Sequence, residues 1–260
     1  MMGKEFCRCS NPFSRNDIFC GKDAGGQISM GAGIKMGITN ENIGKALRKI
    51  ERRLPKNIVM ASSKADSPFR ILVATVLSAR TKDETTHAAV NRLFSKMKTK
   101  TPGIQARVLA RMDEKAIRKL IYPVGFYKTK ARHIKRLAGI VAEEYNGKIP
   151  DTLEQLTKLP GVGRKTANLV LSQAFGKDAI CVDTHVHRIT NRWGYVKTKT
   201  PEETEMALRK KLPRRYWQAI NGILVKFGRA VCRPARPLCP ACPINNACPY
   251  GINNRKHFKH

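Results

Sequence analysis

The chain's 260 residues carry 50 Lys and Arg against 19 Asp and Glu, a formal net charge of +31. A basic excess of that size calls for a polyanionic partner, nucleic acid before a membrane surface, and leaves charge kept merely for solubility as the weaker alternative. No apolar run reaches the ~18 residues that a membrane span requires, and the apolar content is ample for one large or two small domains.

Residues 1 to about 37 hold Gly-rich pieces such as Gly31-Ala32-Gly33 and no sustained period, which predicts a flexible tail with Met30 or Met36 as alternative starts. Cys7, Cys9 and Cys20 lie there, three cysteines with no histidine beside them, for which a second metal site is the weaker reading. The other five are Cys181 and a group of four near the end of the chain. That distribution is unlike a secreted disulfide scaffold, and no charged-then-apolar signal sequence opens the chain, so a reducing cell interior is expected.

From Asn40 the pattern turns helical. Ile43, Leu47, Ile50 and Leu54 share a face opposite Lys45, Arg48, Lys49 and Arg52, and Pro55 ends the run. Ser67 is a candidate cap with Pro68 in the first turn, and Phe69 to Leu77 is apolar nearly all round. With no second such run to pair with, it is expected as a central buried helix rather than a strand. Amphipathic helices are predicted over Asp83 to Met97, Asp113 to Ile121 and Lys128 to Tyr145. A short helix capped by Asp151 leads to the turn Leu159-Pro160-Gly161-Val162-Gly163, and a second helix runs from Thr166 to Phe175, ended by Gly176. Helices over Thr184 to Trp193, from a Thr200 capping box to about Leu212, and over Arg215 to Val231 complete an all-α chain with no convincing sheet.

The turn and its two helices form a helix-hairpin-helix. Two glycines allow a tight turn and bring backbone N–H groups near enough to hold a phosphate at the helix start, although a Pro-Gly-x-Gly link between two core helices needs no ligand. Lys165 tips that balance. As the second residue of a helix it sits at the positive end of the macrodipole, where its charged form is disfavoured. Desolvated and beside other cations, such a lysine supplies free amine as a nucleophile near neutral pH; an ordinary solvated lysine is the alternative.

Leu159-Pro160-Gly161-Val162-Gly163-Arg164-Lys165-Thr166-Ala167-Asn168, followed by Val182-Asp183-Thr184-His185, resembles the endonuclease III family of DNA repair glycosylases. The resemblance spans roughly residues 40 to 250. It implies two helical domains with the active site in the cleft between them. These would be a barrel over about 61–177 and a second domain from about 38–60 with 178–250, leaving 251–260 as a basic tail. Lys165 becomes the attacking amine and Asp183 the catalytic carboxylate, and Leu159, Gly161, Val162, Gly163 and Arg164 become DNA phosphate contacts. The implied activity is a glycosylase and abasic-site lyase acting on oxidised pyrimidines in double-stranded DNA, with the chain as a monomer. Asp183 also reads as the N-cap of the helix from Thr184, and a cap would fix a carboxylate in place. His185 falls in the DNA-facing set, with packing or hydrogen bonding as its plainer role.

The four clustered cysteines follow Cys232-x6-Cys239-x2-Cys242-x5-Cys248. Four thiolates in one loop satisfy one tetrahedral ion or one cubane. Zinc sites usually present two close pairs, so iron-sulfur is favoured over zinc and over free thiols. The spacing matches the family's [4Fe-4S] loop. Nearby Arg233, Arg236 and Arg255 are candidate phosphate contacts.

Two positions depart from the family's bacterial pattern. Arg80 stands where many relatives have Gln, the side chain expected to fill the gap left by a flipped nucleotide. Phe126 stands where Leu is common, at the position expected to wedge into the opposite strand. Phe126 has a bland alternative as ordinary core.

Overall fold

The computed structural model describes residues 37–54 and 66–254; Cys7, Cys9, Cys20, both alternative starts, Pro55 and Arg255 lie outside them. Among the described residues the chain is helical and contains no strand. The helices are α1 (Ile43–Arg52), α2 (Pro68–Ser78), α3 (Asp83–Lys96), α4 (Pro102–Arg111), α5 (Glu114–Ile121), α6 (Tyr127–Glu143), α7 (Leu153–Thr157), α8 (Arg164–Phe175), α9 (Thr184–Arg192), α10 (Pro201–Lys211), α11 (Trp217–Ala230) and α12 (Pro249–Asn253). None is long and apolar enough to cross a membrane.

Two separate apolar cores organise them. The first gathers α2 to α8, with residues from Phe69 to Ala179. Its centre is α2, where Phe69, Ile71, Leu72, Val73, Ala74 and Leu77 are all wholly buried. Ser67 caps that helix by accepting a hydrogen bond from Arg70 N at 3.3 Å, with Pro68 in the first turn. Each large side chain buried so completely contributes about 1.5–3 kcal/mol. The second core joins α1 to α9, α10 and α11 around Trp193, Tyr195, Trp217 and Phe227.

Several local expectations are corrected. The short helix α7 is capped by Thr152, whose Oγ1 accepts from Gln155 N at 3.3 Å, and not by Asp151, which pairs with Lys177 at 2.7 Å. Helix α8 starts at Arg164, two residues before Thr166, so Lys165 is its second residue as expected. Helix α4 has no counterpart in the predicted elements. It buries only Gln105, Ala106 and Leu109, and the Gln105 amide donates to Thr99 O at 2.8 Å, so a polar side chain holds an interior position where the pattern calls for an apolar one. Helix α12 carries ordered chain past residue 250, with Gly251 buried.

Candidate active site

The hairpin between α7 and α8 shows what each glycine is for. Gly161 has φ +78°, and a Cβ there would lie 2.8 Å from His133 Nδ1 on α6, so both backbone and packing demand glycine. Gly163 is extended, caps α8 with no side-chain bond, and faces open space where a Cβ would be. No side chain caps the first-turn N–H groups of α8, and the space beside Gly163 is open, as an anion site requires. Leu159 and Val162 bury their side chains in the first core, so only their backbone is available to a ligand.

Arg164 does not reach out freely from this hairpin. Its Nε and Nη2 donate to the two carboxylate oxygens of Glu205 at 2.9 and 3.0 Å, and Glu205, only 3 % exposed, also accepts from Arg209 Nε at 2.9 Å. Arg209 goes on to donate to Asn168 Oδ1 at 3.2 Å. This clasp ties α8 to α10 and fixes the turn of helix that carries Lys165. Glu205→Gln is expected to leave two guanidinium groups facing a neutral amide and to cost about 1–3 kcal/mol, read as a lower urea midpoint.

Lys165 itself is exposed to solvent, so the protein alone does not supply the desolvation that a nucleophilic amine requires. It opens on a cleft lined also by Thr75, Asp83, Asp183, Asn221 and Arg229. Asp183 caps α9 as expected: its Oδ1 accepts from His185 N and Val186 N, both at 2.9 Å, which leaves Oδ2 for the cleft. Buried Cys181 lies near both charges. Burial pushes its thiol up to about 12, with Lys165 opposing and Asp183 adding, so it stays a thiol and does not compete as a nucleophile.

Opposite these groups, Asp83 is nearly buried and pairs with Arg229 at 2.9 Å, and Asn221 Nδ2 donates to Cys181 O at 3.2 Å. The sequence pattern assigns Asp83 only the start of a helix and says nothing of Arg229 or Asn221. They meet across more than a hundred residues of chain, and no local spacing signals that. His185 is half-buried, packs against α11 at Gly228 and lies 3.1 Å from Arg188 through Nδ1, which fits its plainer role. Burial, with the neighbouring cations, lowers its imidazole below the usual range against the pull of Asp183.

Arg80 and Phe126 come together at the rim. The Arg80 guanidinium lies 5.7 Å from the centroid of the Phe126 ring. Phe126 is 63 % exposed, which removes the reading of it as core. Both residues adopt left-handed backbone, φ +53° and +58°. For bulky side chains that conformation stores strain of about 1–3 kcal/mol, and such strain collects at functional sites. Thr81 and Asp83, beside Arg80 in sequence, line the Lys165 cleft.

All four clustered cysteines line a second cavity, walled by Trp193, Phe227, Leu238 and Tyr250. The loop is bound to α9: Arg188 donates to Cys232 O at 2.9 Å, and Arg192 donates to Cys232 Sγ at 3.4 Å and to Arg233 O at 2.7 Å. The helix that Asp183 caps is thus anchored at its other end by the cysteine loop.

With that geometry in hand, comparison with known proteins is decisive. Residues 73–214 match the HhH-GPD superfamily base excision DNA repair protein family. Over 203 residues the chain is 48 % identical to Endonuclease III of Thermotoga maritima, covering 78 % of this chain and 90 % of that one. The chain belongs to the endonuclease III family. It is also 43 % identical over 233 residues to Endonuclease III homolog 2, chloroplastic, of Arabidopsis thaliana, covering 82 % of this chain and 59 % of that longer relative. Among solved structures it matches a trapped endonuclease III–DNA covalent intermediate with a TM-score of 0.71 and 34 % identity, over 84 % of this chain and 99 % of that one. The all-helical fold is therefore that of endonuclease III.

Proposed function

We propose that this chain, as a member of the endonuclease III family, excises oxidised pyrimidines of the thymine glycol type from duplex DNA and cuts the strand 3′ to the resulting abasic site. It thereby acts in base excision repair as a DNA N-glycosylase and abasic-site lyase. The observation that carries the residue assignment is that Lys165, on the first turn of α8, and Asp183, the cap of α9, open on one cleft between the two apolar cores. We read those cores as the barrel and the second domain expected of the family.

C1′ is hidden in the duplex, so the target nucleotide is rotated into the cleft. DNA closing over the exposed Lys165 supplies the missing desolvation. The Lys165 amine then attacks C1′, forming an N–C bond as the glycosidic bond breaks and the base departs with its electron pair. Asp183 stabilises the positive charge that develops on the sugar. Ring opening gives a protonated Schiff base, which acidifies the C2′ protons; loss of one drives β-elimination of the 3′ phosphate, and hydrolysis returns the lysine. The first-turn N–H groups of α8, at Gly163 and beyond, hold a backbone phosphate, and the chain's large positive charge makes binding weaken as salt rises.

The four cysteines suit a [4Fe-4S] cluster. Burial raises the thiols of Cys239, Cys242 and Cys248, that of Cys242 to about 12, and neighbouring thiolates raise them further, so as bare thiolates they are unstable and a cationic centre relieves them. All four thiols line one cavity, and their single Cys-x2-Cys with two wider gaps favours a multi-atom cluster over zinc. When bound, the cluster would supply cross-linking of the loop that anchors α9, and with every ligand a cysteine it leaves no site for hydrolytic chemistry.

Borohydride trapping tests the reading. A duplex with one thymine glycol and an abasic duplex should both give a stable protein–DNA adduct, and an undamaged duplex none. An adduct on the abasic duplex alone would move the substrate to another base, and no adduct on either, with binding intact, would leave a non-catalytic DNA-binding protein. Phe126→Ala should weaken affinity for an abasic duplex about tenfold while sparing undamaged DNA; equal affinity for both in the variant and the parent would take Phe126 out of the wedge.

A further inference from the structure

Lys130 is a cation placed where cations are rarely found. It lies in the first turn of α6, is 6 % exposed, and points its ammonium at the end of α2. There Nζ donates to Leu77 O at 2.7 Å, to Ala79 O, and to Thr81 Oγ1 at 3.1 Å. An ammonium has three protons to give, and all three find acceptors. Two of those acceptors, on Ala79 and Thr81, flank Arg80 in the chain. The backbone of the same residue holds the other turn, because Lys130 N–H donates to Phe126 O at 3.0 Å.

The two turns are pinned to each other by further contacts. Gly125 N–H donates to Thr81 Oγ1 at 3.1 Å, so that hydroxyl joins Lys130 to the Phe126 turn. A Cβ on Gly125 would come within 2.7 Å of Arg80 O, so the two backbones are in direct contact. Two left-handed residues with an exposed aromatic ring and a guanidinium stacked on it are not stable conformations on their own. They persist where surrounding structure over-determines them, and here that structure converges on one buried side chain.

We propose that Lys130 is a positioning residue that locks the Arg80 turn and the Phe126 turn into a single rigid wedge, so that both side chains enter the duplex as one unit. The proposal rests on the reading of Arg80 and Phe126 as the inserting residues. Burying an ammonium is costly, and burial lowers this one to about 8. It remains charged near neutral pH because three acceptors and the negative end of α2 surround it. A methionine of similar length would fill the space without that cost, so the charge is retained for what it orients.

The test compares full-length wild type with Lys130→Met, Phe126→Ala and the double variant, on a thymine glycol duplex and on a single strand carrying one abasic site. A single strand has no stack to open and no opposite strand to wedge. Lys130→Met should lower duplex turnover at least about tenfold, leave single-strand lyase cleavage within about twofold, and make Phe126→Ala nearly silent when the two are combined. Equal losses on both substrates, or independent effects that multiply, would overturn the coupling. Gly125→Ala tests the same point without a buried charge: the added Cβ drives the turns apart, and it should reproduce the duplex-selective loss even if Lys130→Met fails to fold. Should Phe126→Ala alone leave duplex turnover intact, the insertion reading itself falls; should it impair turnover while neither Lys130→Met nor Gly125→Ala does, only the clamp falls.

Discussion

Lys165→Gln leaves duplex binding within about threefold of the wild type and lowers strand cleavage by at least about a thousandfold, with the borohydride adduct lost altogether. Glutamine is close to lysine in reach and carries no nucleophilic amine. The side chain is exposed on the second residue of α8, and the backbone N–H groups proposed to hold a phosphate are untouched by the change. One charge lost from a formal +31 alters the salt dependence of binding by about one phosphate contact at most. Stability is expected to hold or to rise by about 0.3–1 kcal/mol, because a cation leaves the positive end of a helix dipole. A melting temperature equal to or above that of the parent, with turnover gone, would separate a catalytic lysine from a structural one. Retained cleavage in the variant would sink the assignment.

How much of this was legible from residues alone depends on the range of the interaction involved. The helix-hairpin-helix could be read because its signals are local: a glycine at positive φ, a glycine cap, and periodic apolar residues in α7 and α8. The Asp183 cap could be read for the same reason, since the N–H groups it accepts from lie two and three residues on. Helix α4 escaped because its pattern is filled by Gln105, and the cap of α7 went to Asp151 because aspartate is the better capper in isolation, while Lys177 draws it away. Arg164 is an apparent phosphate ligand in the motif, but its partner Glu205 stands 41 positions away. Lys130 reads as one more basic residue on an amphipathic helix, and its acceptors are about fifty positions upstream. The residues proposed to carry the chemistry could thus be named from sequence, whereas the groups that aim them could not, since aiming is a tertiary property.

Asp183→Asn separates the cap that Asp183 forms from the catalytic role proposed for it. Asparagine caps helices about as well as aspartate, and its Oδ1 can still accept from His185 N and Val186 N, so α9 should start in the same place. What the substitution removes is the negative charge facing the cleft. Base release from a thymine glycol duplex is expected to fall about 100- to 10,000-fold, the range associated with loss of a transition-state electrostatic partner, while duplex affinity changes little and the urea midpoint holds. Asp183→Ala removes both functions, so it should lose the same catalysis and in addition about 0.5–2 kcal/mol of stability from the lost cap. The pair of variants therefore yields a difference that a purely structural carboxylate cannot produce: equal turnover losses with unequal stabilities. If Asp183→Asn instead turned over normally and only Asp183→Ala failed, the carboxylate would be a cap and nothing more, and the charge that balances the sugar cation would have to come from elsewhere in the cleft, where Asp83 is already committed to Arg229.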